Sequence, residues 1–188
     1  MQSLLYYRSL LPAAVLGLLL GLPCPPSRAA PSPPVQVFAA LDGRWSGTFV
    51  GYDPAGKELY RITVEQTYQT LDETTQRVTI MDHLPDGKVV KGTGRNVAVR
   101  QKDGSLELRC IVEKSNGERV EHVGRVVRAA DGEEALVWSS QAPGKSETFL
   151  EAVRRRGGEA SYTIQGMGNY GGTLVLMSGQ YRRLGGVK

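Results

Sequence analysis

The chain has 188 residues, 23 basic and 19 acidic, is 40% hydrophobic and 7% aromatic, and holds two cysteines. That length fits one domain with an appendage, and the apolar share is enough to build a core. Two cysteines exclude a disulfide-dense scaffold and a four-cysteine zinc site.

The first segment reads as an address. Met1 to Arg8 carries one charge, Arg8; Leu10 to Leu22 is apolar, and Pro23 to Pro34 is rich in proline, serine and alanine. A basic start, a short apolar run and a small-residue region predict a secretory signal peptide over residues 1–29. Ser27 and Ala29 are the small residues before the expected cut, with Ala39 an alternative site. The apolar run of 13 residues is too short for a membrane-spanning helix, which needs roughly 20, so no integral span is expected. Leu22-Pro23 before Cys24 fits a lipid-anchored cysteine less well than plain export.

Cutting at Ala29 removes Arg8 and Arg28 and no acid, so 21 basic residues face 19 acidic ones and the net charge falls from +4 to +2. The mature chain keeps one cysteine, Cys110, and contains no Asn-x-Ser/Thr sequon. Both features suit a bacterial envelope, periplasmic or secreted. The one charge run, Arg154-Arg155-Arg156, reads as a solvated strand end. No basic stripe with interleaved aromatics is present, so a nucleic-acid partner is not expected.

After a proline-rich leader over 30–40, turn signals recur at Asp53-Pro54-Ala55-Gly56, Pro85-Asp86-Gly87, Asp103-Gly104, Asn116-Gly117, Asp131-Gly132, Pro143-Gly144 and Gly157-Gly158. The intervening segments alternate and are rich in valine, threonine, isoleucine and tyrosine, as in Tyr60 to Glu65. None has room for a helix plus a strand, so parallel crossovers are excluded. The expected fold is all-β: one up-and-down antiparallel barrel of eight to ten strands over 41–184, with a flexible tail at 185–188. Closure removes the two edges that a meander would leave exposed. The segment Glu147 to Val153 also fits a helix and is the least determined strand.

Turn placement predicts register. With Asp103-Gly104 as a two-residue turn, Arg100 faces Glu107, Val99 faces Leu108 and Val97 faces Cys110. Equivalent turns at Asn116-Gly117 and Asp131-Gly132 set Cys110 opposite Val123, Leu108 opposite Arg125, and Arg125 opposite Trp138. The expected inward row is Val97, Val99, Leu106, Leu108, Cys110, Val123, Val127 and Leu136, with Arg125 and Trp138 inside it. Arg95 falls on the same face.

An arginine inside a barrel needs a partner. The expected binding residues are therefore Arg125 and Arg95 for a carboxylate, with Trp138, Leu108 and Val97 around a hydrophobic body. The alternatives are that Arg125 reaches the rim, pairs with Glu121, or turns outward at a bulge near Gly124. A tryptophan such as Trp138 is more often plain core than a ligand platform.

The ends of the domain carry a family resemblance. Leu41-Asp42-Gly43-Arg44-Trp45-Ser46-Gly47 resembles the opening strand of the calycin superfamily, where lipocalins and fatty-acid-binding proteins carry Gly-x-Trp. The resemblance implies that Gly43 and Trp45 plug one barrel end, with Arg182 or Arg183 of the last strand stacked across the indole. The same motif is similar to small bacterial lipocalin-like domains and to haem-binding nitrobindin-type barrels. The latter bring a histidine near the C-terminus to iron, and no histidine follows His122, so no cofactor is expected.

Catalytic patterns are weak. Gly166-Met167-Gly168-Asn169-Tyr170-Gly171 matches G-x-G-x-x-G, but Thr173 to Leu176 reads as a strand rather than the helix that pattern requires. Gly144-Lys145-Ser146 lacks the first glycine of a phosphate loop. His83 and His122 are assigned outward and have no metal-ligand spacing with Cys110. Asp82 is expected opposite Lys91 as a rim ion pair. No nucleophile–base–orienter set is visible. The function expected is an exported monomer that binds a small hydrophobic or carboxylate ligand; the alternative is a filled structural or interaction module of the envelope.

Overall fold

The computed structural model describes residues 34–128 and 133–185. The expected signal peptide and residues 186–188 of the tail lie outside the described residues. Ten strands follow as consecutive antiparallel hairpins: β1 (Gly43–Tyr52), β2 (Glu58–Thr70), β3 (Thr75–His83), β4 (Val89–Arg100), β5 (Leu106–Lys114), β6 (Arg119–Arg128), β7 (Glu134–Ala142), β8 (Lys145–Arg156), β9 (Glu159–Tyr170) and β10 (Thr173–Arg183). β1 pairs with both β2 and β10, so the sheet closes and leaves no edge. This is the expected fold, a single closed up-and-down antiparallel barrel. The ambiguous segment 147–153 is strand, and Gly166 to Gly171 runs along β9 into the β9–β10 turn.

The register differs from the expectation by one residue in three hairpins. Gly104 N–H donates to Gln101 O at 3.0 Å and Gln101 N–H to Ser105 O at 2.9 Å, so the loop holds residues 102–104 rather than two. The β5–β6 loop repeats this, with Gly117 N–H on Lys114 O and Lys114 N–H on Glu118 O. Gly104 and Gly117 take φ of 83° and 86°, the conformation that ends a three-residue hairpin loop with a bulge. Asp103 and Asn116 accept from the N–H groups of Ser105 and Glu118, which fixes the same turn. The Gly-Gly pairs at 157–158 and 171–172, with positive φ at both residues, form two-residue connections, as does Pro143-Gly144 between Ala142 and Lys145.

A one-residue shift exchanges the two faces of a strand. Leu108 therefore pairs with Ala98, Cys110 with Asn96 and His122, and Trp138 with Gly124. In β6 the charged residues Arg119, Glu121 and Arg125 share the solvent face, whereas His122 is 8% exposed. Asp82 pairs with Val90, and it is Met81 that faces Lys91.

One barrel end is closed. Helix α1 (Pro34–Ala39) occupies part of the expected leader, and its Val37 and Phe38 are buried with Leu41 against the barrel core. Proline at the first helical position has the dihedral angle a helix needs there. Trp45 is fully buried and donates from Nε1 to Leu41 O at 2.6 Å. The Arg183 guanidinium lies 5.8 Å from the Trp45 ring and donates to Asp42 O at 2.6 Å. Gly43 has φ of 122°, and a Cβ there would come within 2.9 Å of Arg183 Nε, so no other residue fits beside the stacked arginine. Of the two candidates Arg183 is thus the stacking residue, while Arg182, one residue earlier, is exposed. Asp42 and Gln76 tie the closure together: Asp42 Oδ1 accepts from Thr70 N–H and Gln76 Nε2, and Gln76 Nε2 also donates to Phe38 O.

Candidate functional site

The opposite end is a mouth that leads into a cavity of about 300 Å³. The β5–β6, β7–β8 and β9–β10 turns lie at this end. The waist is apolar, formed by residues such as Val64, Val78, Ile80, Val112, Ile164 and Met177. Each comes from the inward parity of its strand, which is how an alternating sequence lines a barrel.

The expected binding residues separate into two groups. Trp138 (4% exposed) and Leu108 (0% exposed) point inward, and Trp138 lines the cavity. Its ring crosses Gly124, where a Cβ would come within 2.4 Å. Arg125 and Arg95 are exposed and Val97 is half-buried, all three on the outer parity of their strands. The expected carboxylate clamp is therefore not present. Its error lies in the turn length, which places Arg125 opposite Val137 instead of Trp138.

The charged groups facing the cavity are not among the expected binding residues. Lys114 Nζ meets Asp82 Oδ2 at 2.9 Å and Glu118 Oε2 at 3.4 Å. Lys145 Nζ meets Glu118 Oε1 at 3.4 Å and Glu147 Oε1 at 3.3 Å. Glu147 Oε2 contacts His122 Nε2 at 3.3 Å, and Tyr170 donates its hydroxyl to Glu147 Oε1 at 2.5 Å. These contacts form a continuous chain of ion pairs and hydrogen bonds from β3 through β5 and β8 to β6 across the mouth. Burial opposes the Lys114 charge, but Asp82 and Glu118 outweigh it and push the pKa up. For Glu147, burial works against ionisation, while hydrogen bonds from His122 and Tyr170 and the Lys145 charge bring the pKa down to about 2.

Deeper in, Glu151 of β8 accepts from Trp138 Nε1 at 2.9 Å, and burial raises its pKa. Tyr162 stacks on Tyr181 with centroids 5.0 Å apart, and its hydroxyl lies 3.2 Å from that of Tyr68. Cys110 is a free thiol whose pKa burial pushes up to about 12. The arrangement offers an apolar space and one buried polar pair, His122–Glu147, at 3.3 Å. Ser140 donates to Glu147 at 3.3 Å, so the pair does not orient that hydroxyl as a nucleophile. Among the described residues no group of three or more histidine, cysteine or acidic side chains is placed to hold a metal.

The geometry defines a ten-stranded barrel with one closed end and an internal cavity. No protein-family model and no curated protein matches the sequence. Among solved structures, the chain is similar to Rv2717c from M. tuberculosis, at 19% identity and a TM-score of 0.56 over 82% of this chain and 99% of that one. Two designed barrels are more distantly similar. One is a de novo fluorescence-activating barrel (20% identity, TM-score 0.36, 81% and 98% covered), the other the mFAP2b barrel bound to DFHBI (11% identity, TM-score 0.37, 80% and 99% covered). The likeness to Rv2717c establishes the fold alone.

Proposed function

We propose that this chain is an exported, monomeric barrel that holds a small, mainly hydrophobic ligand in its cavity. The observation that carries the reading is the apolar-waisted space of about 300 Å³ open at one end, the lower size of small-molecule sites. A purely structural barrel of this strand number can fill its interior with side chains, and this one does not. Closure leaves no strand edge for a partner, which favours a monomer. Export rests on the basic–apolar–small pattern of residues 1–29. Among the described residues no helix is long and apolar enough to cross a membrane.

Native mass spectrometry of the purified protein, with Nile red as a neutral reporter, tests the reading. A retained mass or a bright dye complex is expected, and Ile80→Trp, which fills the waist, abolishes either while the β-sheet circular dichroism persists. Failure of the wild type to retain a ligand or take up the dye, or equal uptake by the filled variant, would sink the proposal.

A further inference from the structure

Two acceptors of the inner cavity, Glu151 and Asn96 Oδ1, select the ligand's polar group. Glu151 lies six residues further along β8 than Lys145, with its carboxyl on the cavity wall. Trp138 Nε1 donates to it, Tyr162 hydrogen-bonds it and His122 acts on its charge, yet among the described residues no lysine or arginine forms an ion pair with it. A cavity-lining acid with no lysine or arginine paired to it is a site for an entering cation.

Asn96 makes the second, independent observation. It is 2% exposed, lines the same cavity, and spends its Nδ2 on Gln76 Oε1 at 3.0 Å. Its Oδ1 has no donor among the described residues. A buried carbonyl of that kind calls for an N–H or O–H from something that enters the cavity. Cys110, the register partner of Asn96, feels the Glu151 charge, so both acceptors belong to the inner part of the barrel.

The mouth agrees in sign. Its two lysines are each held between two carboxylates, and Asp82, Glu118 and Glu147 outnumber them. An entering anion would have to break those pairs, whereas an entering cation meets a field of its own preference. Tyr60, Phe49, Phe149 and Tyr170 add ring faces along the way.

We propose that the cavity selects an amphiphilic amine, its protonated nitrogen donating to Glu151 and Asn96 Oδ1 while its hydrocarbon body fills the apolar waist. This deepens the binding function proposed above and rests on it. Isothermal titration calorimetry of the full chain with dodecylamine, dodecanol and dodecanoic acid, below their aggregation concentrations, decides it. The expected order is amine first, by roughly tenfold or more over the alcohol, with the acid weakest. Glu151→Gln keeps an acceptor for Trp138; it is expected to bring the amine down to the level of the alcohol, while an unchanged β-sheet circular dichroism spectrum shows that the variant is folded. Equal affinities in the wild type, or a preference for the acid, overturn the amine selectivity and leave the ligand-binding proposal standing. Absence of binding by all three removes both.

Discussion

Acid should weaken this barrel at one identifiable point, Glu147. Its side chain is 10% exposed and is held by His122, Ser140, Tyr170 and Lys145. Burial favours the neutral acid, but these partners win and set the folded pKa at about 2, whereas an unfolded glutamate titrates near about 4.3. The folded state thus binds this proton more weakly than the unfolded chain. Its stabilisation is complete above the unfolded value and disappears as the pH falls through the folded one. A gap of roughly two pKa units corresponds to on the order of 3 kcal/mol when fully titrated, and roughly 2 kcal/mol of it is lost between about pH 5 and about pH 2.5. Glu147→Gln removes the titration while retaining an oxygen acceptor for Tyr170. Urea unfolding of both proteins across that range should show the stability advantage of the wild type over the variant shrinking by that amount. Parallel pH profiles for the two proteins would refute the assignment of Glu147 as the acid-sensitive link.

Three further outcomes follow from the placement of single residues. Arg183→Met should cost about 1–2 kcal/mol in urea unfolding, through loss of the Trp45 stack and the hydrogen bond to Asp42 O. Arg182→Met should stay within about 0.5 kcal/mol, and equal costs would mean that the plug is misassigned. Arg125→Met, on the outer face, should leave the Nile red affinity unchanged; a marked loss would return Arg125 to the interior. Cys110, with its pKa near about 12, should resist alkylation by iodoacetamide in the folded state at neutral pH and react promptly in urea. Rapid modification of the native protein would show that the thiol is accessible.

β8 explains why the site escaped the sequence. Glu147 and Glu151 face inward with Phe149 between them, while Leu150 stands 42% exposed on the outside. A pattern reader assigns acids to solvent and leucine to the core, so this strand reads inside out. The rule fails here because each inward acid has local partners, Tyr170 and His122 for Glu147 and Trp138 for Glu151. Those partners lie on β6, β7 and β9 and are unknown until the strands are paired. The β6 inversion, in contrast, was legible: Arg119, Glu121 and Arg125 share one parity, and three charges on one face mark it as the solvent face.

By itself the amino-acid sequence determined a closed antiparallel barrel and its tryptophan plug. Turn chemistry and two-residue alternation act over a few neighbouring positions, and short-range physics is enough to read them, whereas the plug was implied by the family resemblance of Gly-x-Trp. Tertiary structure alone decided which of two faces each central strand turns inward, because one extra loop residue inverts an entire strand. It also decided that the polar part of the cavity is built of acids and tyrosines in place of the arginines. Charged groups from β3, β5, β6 and β8 meet there only because the barrel closes.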